Sequence, residues 1–116
     1  MGYWTGRFTF AGTGAQTLTT GLTGTPTGCR ITVAGNAATT DSSTCTGTSD
    51  GTRQNCQFTY GAGSSNTQIV NFNDEAGTNL ESVAWSSFTS SGGTGRVGLN
   101  VTSFVSALQH TLEVWN

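Results

Sequence analysis

Three cysteines, one histidine and one pair of adjacent carboxylates are the groups in this 116-residue chain from which chemistry could be built. A thiol beside an imidazole would make a nucleophile pair, and several thiols with an imidazole would make a zinc set. Cys29, Cys45 and Cys56 contain no Cys-x-x-Cys spacing, and His110 is the single histidine. No zinc site is expected from that set. His110 opens the last apolar alternation and reads as a surface or rim residue. The stretch NFNDEAG (71–77) puts Asn71, Asn73 and Glu75 at alternate positions, like the start of a calcium loop. It departs from one where a glycine is needed, at Ala76, and where a closing glutamate is needed, at Ser82. Asp74 and Glu75 are neighbours, so an extended chain points them to opposite faces, which is poor geometry for an acid–base pair. A polar turn is expected there. No catalytic residue, no metal and no cofactor is expected.

The remaining composition is architectural. Charged residues make up 9% of the chain, against about 25% in average proteins, and the formal net charge is -2. Arg7, Arg30, Arg53 and Arg96 stand apart from one another, so there is no basic stripe and no nucleic-acid partner is expected. No apolar run approaches the roughly 20 residues of a membrane span. The opening MGYWTGRFTF shows no apolar h-region, so no signal peptide is expected. It has Gly6 where a myristoylation signal wants Ser or Thr. The Asn100–Thr102 sequon lies inside an expected strand and reads as chance.

Thr, Ser, Gly and Asn fill the polar positions, which suits strands and turns. Alternation marks eight strands, near 3–10, 15–21, 28–35, 55–61, 66–72, 80–88, 95–102 and 110–116. Their inward faces are expected to carry Phe8, Phe10, Ile31, Val33, Phe58, Val83, Leu99, Val101, Leu112 and Val114. Glu113 and Trp115 fall opposite Leu112 and Val114. SFVSALQ (103–109) is compatible with one helical turn. The expected fold is one all-β domain, an antiparallel β-sandwich, jelly-roll-like, with about eight strands.

Asp50-Gly51 is a type I′ turn signal between Cys45 and Cys56. A two-residue turn there pairs Ser49 with Thr52 and brings Cys45 opposite Cys56, either as two buried thiols or as a disulfide. Trp4, Trp85 and Trp115 read as core or interface residues. If they face solvent, they would suit stacking on sugar rings.

Several stretches carry a resemblance. In residues 8–35, Gly14, Gln16, Thr17, Leu18, Gly21, Leu22, Pro26 and Ile31 resemble the opening of a β-sandwich module of tailed-bacteriophage virion proteins. DGTRQ (50–54) resembles its middle. Ser87–Thr89, followed by a glycine turn and Leu99–Thr102, resembles its end. The order agrees along most of the chain. The spacing between Leu22 and Pro26 is longer than usual in that family, as is the turn SSGGTG. The resemblance implies a virion structural protein without catalytic residues, most simply a capsid decoration (cement) protein contacting a major capsid protein. A homotrimer is implied in the same way. A tail or fibre component, or a glycan-binding module using Trp85 or Trp115, is the alternative. In the decoration reading, Tyr3, Trp4 and Trp115 are the expected interface residues. For Met1–Trp4 the competing expectation is that the segment closes the domain's own core.

Overall fold

The computed structural model describes residues 2–116 and is all-β, with ten strands. These are β1 (Tyr3–Phe8), β2 (Gly14–Thr23), β3 (Gly28–Ala34), β4 (Thr44–Ser49), β5 (Gln54–Phe58), β6 (Ser64–Ser65), β7 (Val70–Asn73), β8 (Asn79–Ser91), β9 (Thr94–Ser103) and β10 (Gln109–Trp115). They form two antiparallel sheets, six-stranded in the order β1-β10-β3-β4-β5-β6 and four-stranded in the order β2-β9-β8-β7. The two ends of the chain pair with each other through β1 and β10, and β2 pairs with β9. β10 also pairs with β3, and from there the first sheet continues as a meander through β6, while the second runs back from β9 through β8 to β7.

The core is what the alternation specifies. Ile31, Val33, Val83, Val97, Leu99, Val101, Leu112 and Val114 are all buried between the sheets. Phe10 and Phe58 are also buried, and Phe8 is half-buried against the core. The segment 104–108 makes a turn closed by Leu108 N–H donating to the Val105 carbonyl, and no helix forms. The β8–β9 connection is tighter than the SSGGTG stretch suggests. Both strands run on to Gly92 and Gly93, whose φ values of 60° and 83° make a two-residue turn. Only glycine takes two positive φ angles in succession without strain, and that turn matches the strand twist.

Two close approaches set the packing. The Trp4 ring lies across Gly6 of β1 and Gly21 of β2; a Cβ at either glycine would come within 2.5 Å of it. One ring therefore closes the side where the edges of the two sheets meet. On the other side, the chain crosses between sheets through Ile69, whose N–H donates to Val83 O. Its carbonyl oxygen lies 1.6 Å from where a Cβ on Gly47 would stand. That contact fixes the sheet separation over β4.

The β4–β5 hairpin forms, but with a different register from the expected one. Ser49 pairs with Gln54, Cys45 with Phe58 and Gly47 with Cys56, so the partner of Cys45 lies two residues further on. The cause is the Asp50 side chain. Its Oδ1 accepts the N–H groups of Thr52 and Arg53, at 2.9 and 2.7 Å, and holds a four-residue connection. A type I′ turn would need positive φ at Asp50, yet among the described residues only glycines have positive φ. Because the shift is even, Cys45 and Cys56 keep the inward face.

Candidate functional site

The three thiols are free and buried. Burial pushes Cys29 up to about 12. Cys45 is raised by its hydrogen bond to the Cys56 sulfur, its diagonal neighbour, and then by burial. The thiolate is the reactive form, so the Cys29 and Cys45 thiols are held in the inert one. The 71–77 stretch is a polar turn. Asp74 Oδ1 accepts the N–H groups of Ala76 and Thr78, while Glu75 accepts the Ser42 hydroxyl.

His110 is not at the surface. It is 2% exposed, and its ring sits among Phe8, Phe10 and the carboxylate of Glu81. Nε2 lies 2.8 Å from Oε1 and 3.0 Å from Oε2 of Glu81, a side chain that is also fully buried. With the ring proton on Nε2, the imidazole donates to both carboxylate oxygens. Val105 N–H adds a third bond to Oε1, at 3.3 Å. Glu81 belongs to β8 and His110 to β10, so the pair ties the two sheets together through the core. His110 Nδ1 is buried without a partner.

The sequence held a signal for this pair. Glu81, Val83 and Trp85 alternate on one face, and His110, Leu112 and Val114 on another. Two polar residues on two apolar faces are partners in waiting, because a buried charge must be paired. His110 lies near the start of β10, not at the rim expected for it, although a polar residue at a strand end ordinarily faces solvent. The Val33↔His110 and Phe8↔His110 pairings instead carry it into the middle of the sheet.

The expected interface residues divide. Tyr3 and Trp115 are cross-strand partners on the outer face of the six-stranded sheet, 60% and 36% exposed. They are the large apolar side chains left exposed among the described residues. Trp4, one residue on, points inward and bridges Gly6 and Gly21. Met1 lies outside the described residues. Trp115 rests on Gly28, where a Cβ would come within 2.3 Å of the indole nitrogen. Tyr3 is tethered through its hydroxyl, which donates to Glu113 Oε2 at 2.9 Å. Arg30 holds the same carboxylate with two bonds, Nε to Oε1 at 3.0 Å and Nη2 to Oε2 at 2.7 Å. Around them the face carries Thr5 and, in one register row, Arg7, Thr111, Thr32, Thr46 and Gln57. Strand β1 is also an edge, with one side of its backbone unpaired by any strand.

The Arg30 guanidinium, and then the Tyr3 hydroxyl, hold Glu113 below the usual glutamate range. A depressed carboxyl contributes its stabilisation above its unfolded pKa and loses it as pH falls through the folded one. Acidification should therefore leave the Tyr3 tether intact through the ordinary glutamate range and release it only below. The side-chain carbonyl shift of Glu113, followed by NMR with the Tyr3 ring signals, checks this. Titration of Glu113 at or above the ordinary value would contradict it.

No protein-family model, curated protein or solved structure matches this chain.

Proposed function

We propose that this chain is a non-enzymatic structural subunit that seats on a larger assembly through the Tyr3–Trp115 end of the six-stranded sheet. We further propose that the assembly is a tailed-bacteriophage virion, with the chain as a decoration protein on the head shell and a tail or fibre position as the second placement. The observation that carries the interface is the exposed ring pair. Tyr3 and Trp115 stand side by side on a face whose charges are Arg7 and the paired Arg30 and Glu113, the pair that tethers the Tyr3 ring. Such rings bring large contact area at little entropic cost and are enriched where proteins meet. The virion assignment rests on the order of turn and strand landmarks in the sequence.

Tyr3→Ser with Trp115→Ser tests the interface. Both side chains lie outside the core, so the double variant should keep a single cooperative unfolding transition. It should lose at least ten-fold in affinity for the particle. Full retention of particle binding by the folded variant would refute the interface.

A further inference from the structure

The sheets part at the end of the sandwich that also carries Trp115. A cleft there measures ≈ 490 Å³. It is an open cleft lined by the Thr25–Thr27 crossover, the Asp50-Gly51 turn and residues Trp85–Phe88 of β8. That volume falls within the range of small-molecule sites, about 300–1,000 Å³.

A β-bulge builds its floor. Strand alternation would place Trp85 and Phe88 on opposite faces. In β8, however, Trp85 pairs with Leu99 and Phe88 with Val97, with the register slipping between Trp85 and Ser87. Leu99 and Val97 are buried, so the extra residue turns both aromatic rings to the same inward side, 5.0 Å apart and tilted by 57°. Bulges of this kind re-aim side chains next to functional sites. The bulge is held from the other sheet. Gln54 Nε2–H donates to Trp85 O at 3.2 Å, and Trp85 N–H donates to Gln54 Oε1 at 2.7 Å. Trp85 Nε1 is buried with no hydrogen-bond partner.

The rim is polar. Thr25 and Thr27 line it, and Asp50 is the single charged residue among the lining groups; the Ser86 and Ser87 hydroxyls lie over Gly98 on the opposite face of the sheet, so these two serines meet the cleft through their backbone. Asp50 Oδ1 is occupied by the turn N–H groups, while Oδ2 meets only the Arg53 guanidinium, at 3.4 Å. A ligand for this cleft needs C–H faces for two aromatic rings set at an angle to each other and hydroxyls for a carboxylate and two threonine alcohols. It carries no negative charge, because Asp50 would repel one. We infer that the cleft is a binding site for a neutral saccharide, with Trp85 and Phe88 as the stacking floor and Asp50 Oδ2 as the hydroxyl acceptor. This site is separate from the Tyr3–Trp115 contact and would serve a subunit bound to a particle or free.

The test uses the full chain and four probes: trisaccharides of glucose, mannose, galactose and N-acetylglucosamine. Amide and indole N–H shifts are followed into the millimolar range. At least one probe should give saturable shifts at the Trp85 indole and at the Gly51, Ser86 and Ser87 amides. Asp50→Asn keeps an oxygen for the turn but removes the charge, and should weaken that probe at least ten-fold with the remaining spectrum unchanged. Trp85→Phe keeps an inward ring of smaller area and should weaken it as well. No saturable shift with any probe would overturn the assignment. So would shifts confined to the Tyr3–Trp115 face, or equal affinity in the Asp50→Asn variant.

Discussion

Gly47→Ala is expected to cost about 3 kcal/mol or more, at the upper end of overpacking effects. The added methyl group would stand 1.6 Å from the Ile69 carbonyl oxygen, and the obstacle is backbone, which cannot rotate away. Gly47 lies mid-strand in β4 and Ile69 is anchored by its bond to Val83, so relief requires moving one sheet against the other. Domains of this size have total stabilities of about 5–15 kcal/mol, so the variant should be marginal or unfolded. Gly12→Ala is the control. That glycine has open space around its Cβ direction and no positive φ, so the change should be neutral or slightly stabilising. Urea denaturation of both variants measures the contrast. A Gly47→Ala protein as stable as the Gly12→Ala protein would mean that the sheets do not meet at Ile69.

Breaking the Glu81–His110 pair should cost as much. His110→Ala leaves the Glu81 carboxylate buried with only the Val105 N–H, and truncating one member of a buried pair costs about 3–5 kcal/mol. Glu81→Ala strands the imidazole in the same way. The double replacement Glu81→Leu with His110→Phe should recover most of the loss, because exchanging a buried polar pair for an apolar pair of similar volume is often neutral or stabilising. Stability measured across the cycle would show strong coupling between two residues on different sheets. If each single variant lost less than about 1 kcal/mol, far below the buried-pair range, the pair would not be the tie between the sheets described above.

The strands were legible because burial imposes a period of two. Ile31 and Val33, Leu112 and Val114, and Leu99 and Val101 announce their faces without knowledge of the partner strand. The β4–β5 register was not legible, because it turns on which backbone N–H groups Asp50 captures. Asp-Gly permits both the two-residue and the four-residue connection, and only the folded geometry at Asp50 separates them. His110 was misplaced for a related reason. A polar residue at a strand end looks solvent-facing until a distant carboxylate is found, and Glu81 is 29 positions away. The Trp85–Phe88 cleft was hidden further, since alternation assigns those rings to opposite faces and the bulge that reunites them is clamped by Gln54 from another sheet. The Tyr3 and Trp115 contrast with Trp4 was half-visible. Alternation separates Tyr3 from Trp4, but only the two glycines under the Trp4 ring show which of them the core takes.

Seating on a virion shell is the central claim, and thermal release of the genome measures it directly. Ligands bound to the assembled state stabilise it by about RT ln(1 + [L]/Kd) per site. The contact proposed here is made by two rings beside an Arg30–Glu113 pair whose charges offset each other, so salt, which screens exposed charges over about 10 Å at 0.1 M, should matter little. Particles stripped of the protein should release their genome at a lower temperature. Adding the wild-type chain back should restore the original release temperature equally at low and high salt, and the Tyr3→Ser, Trp115→Ser variant should not restore it. A release temperature that is the same with and without the protein would contradict the account.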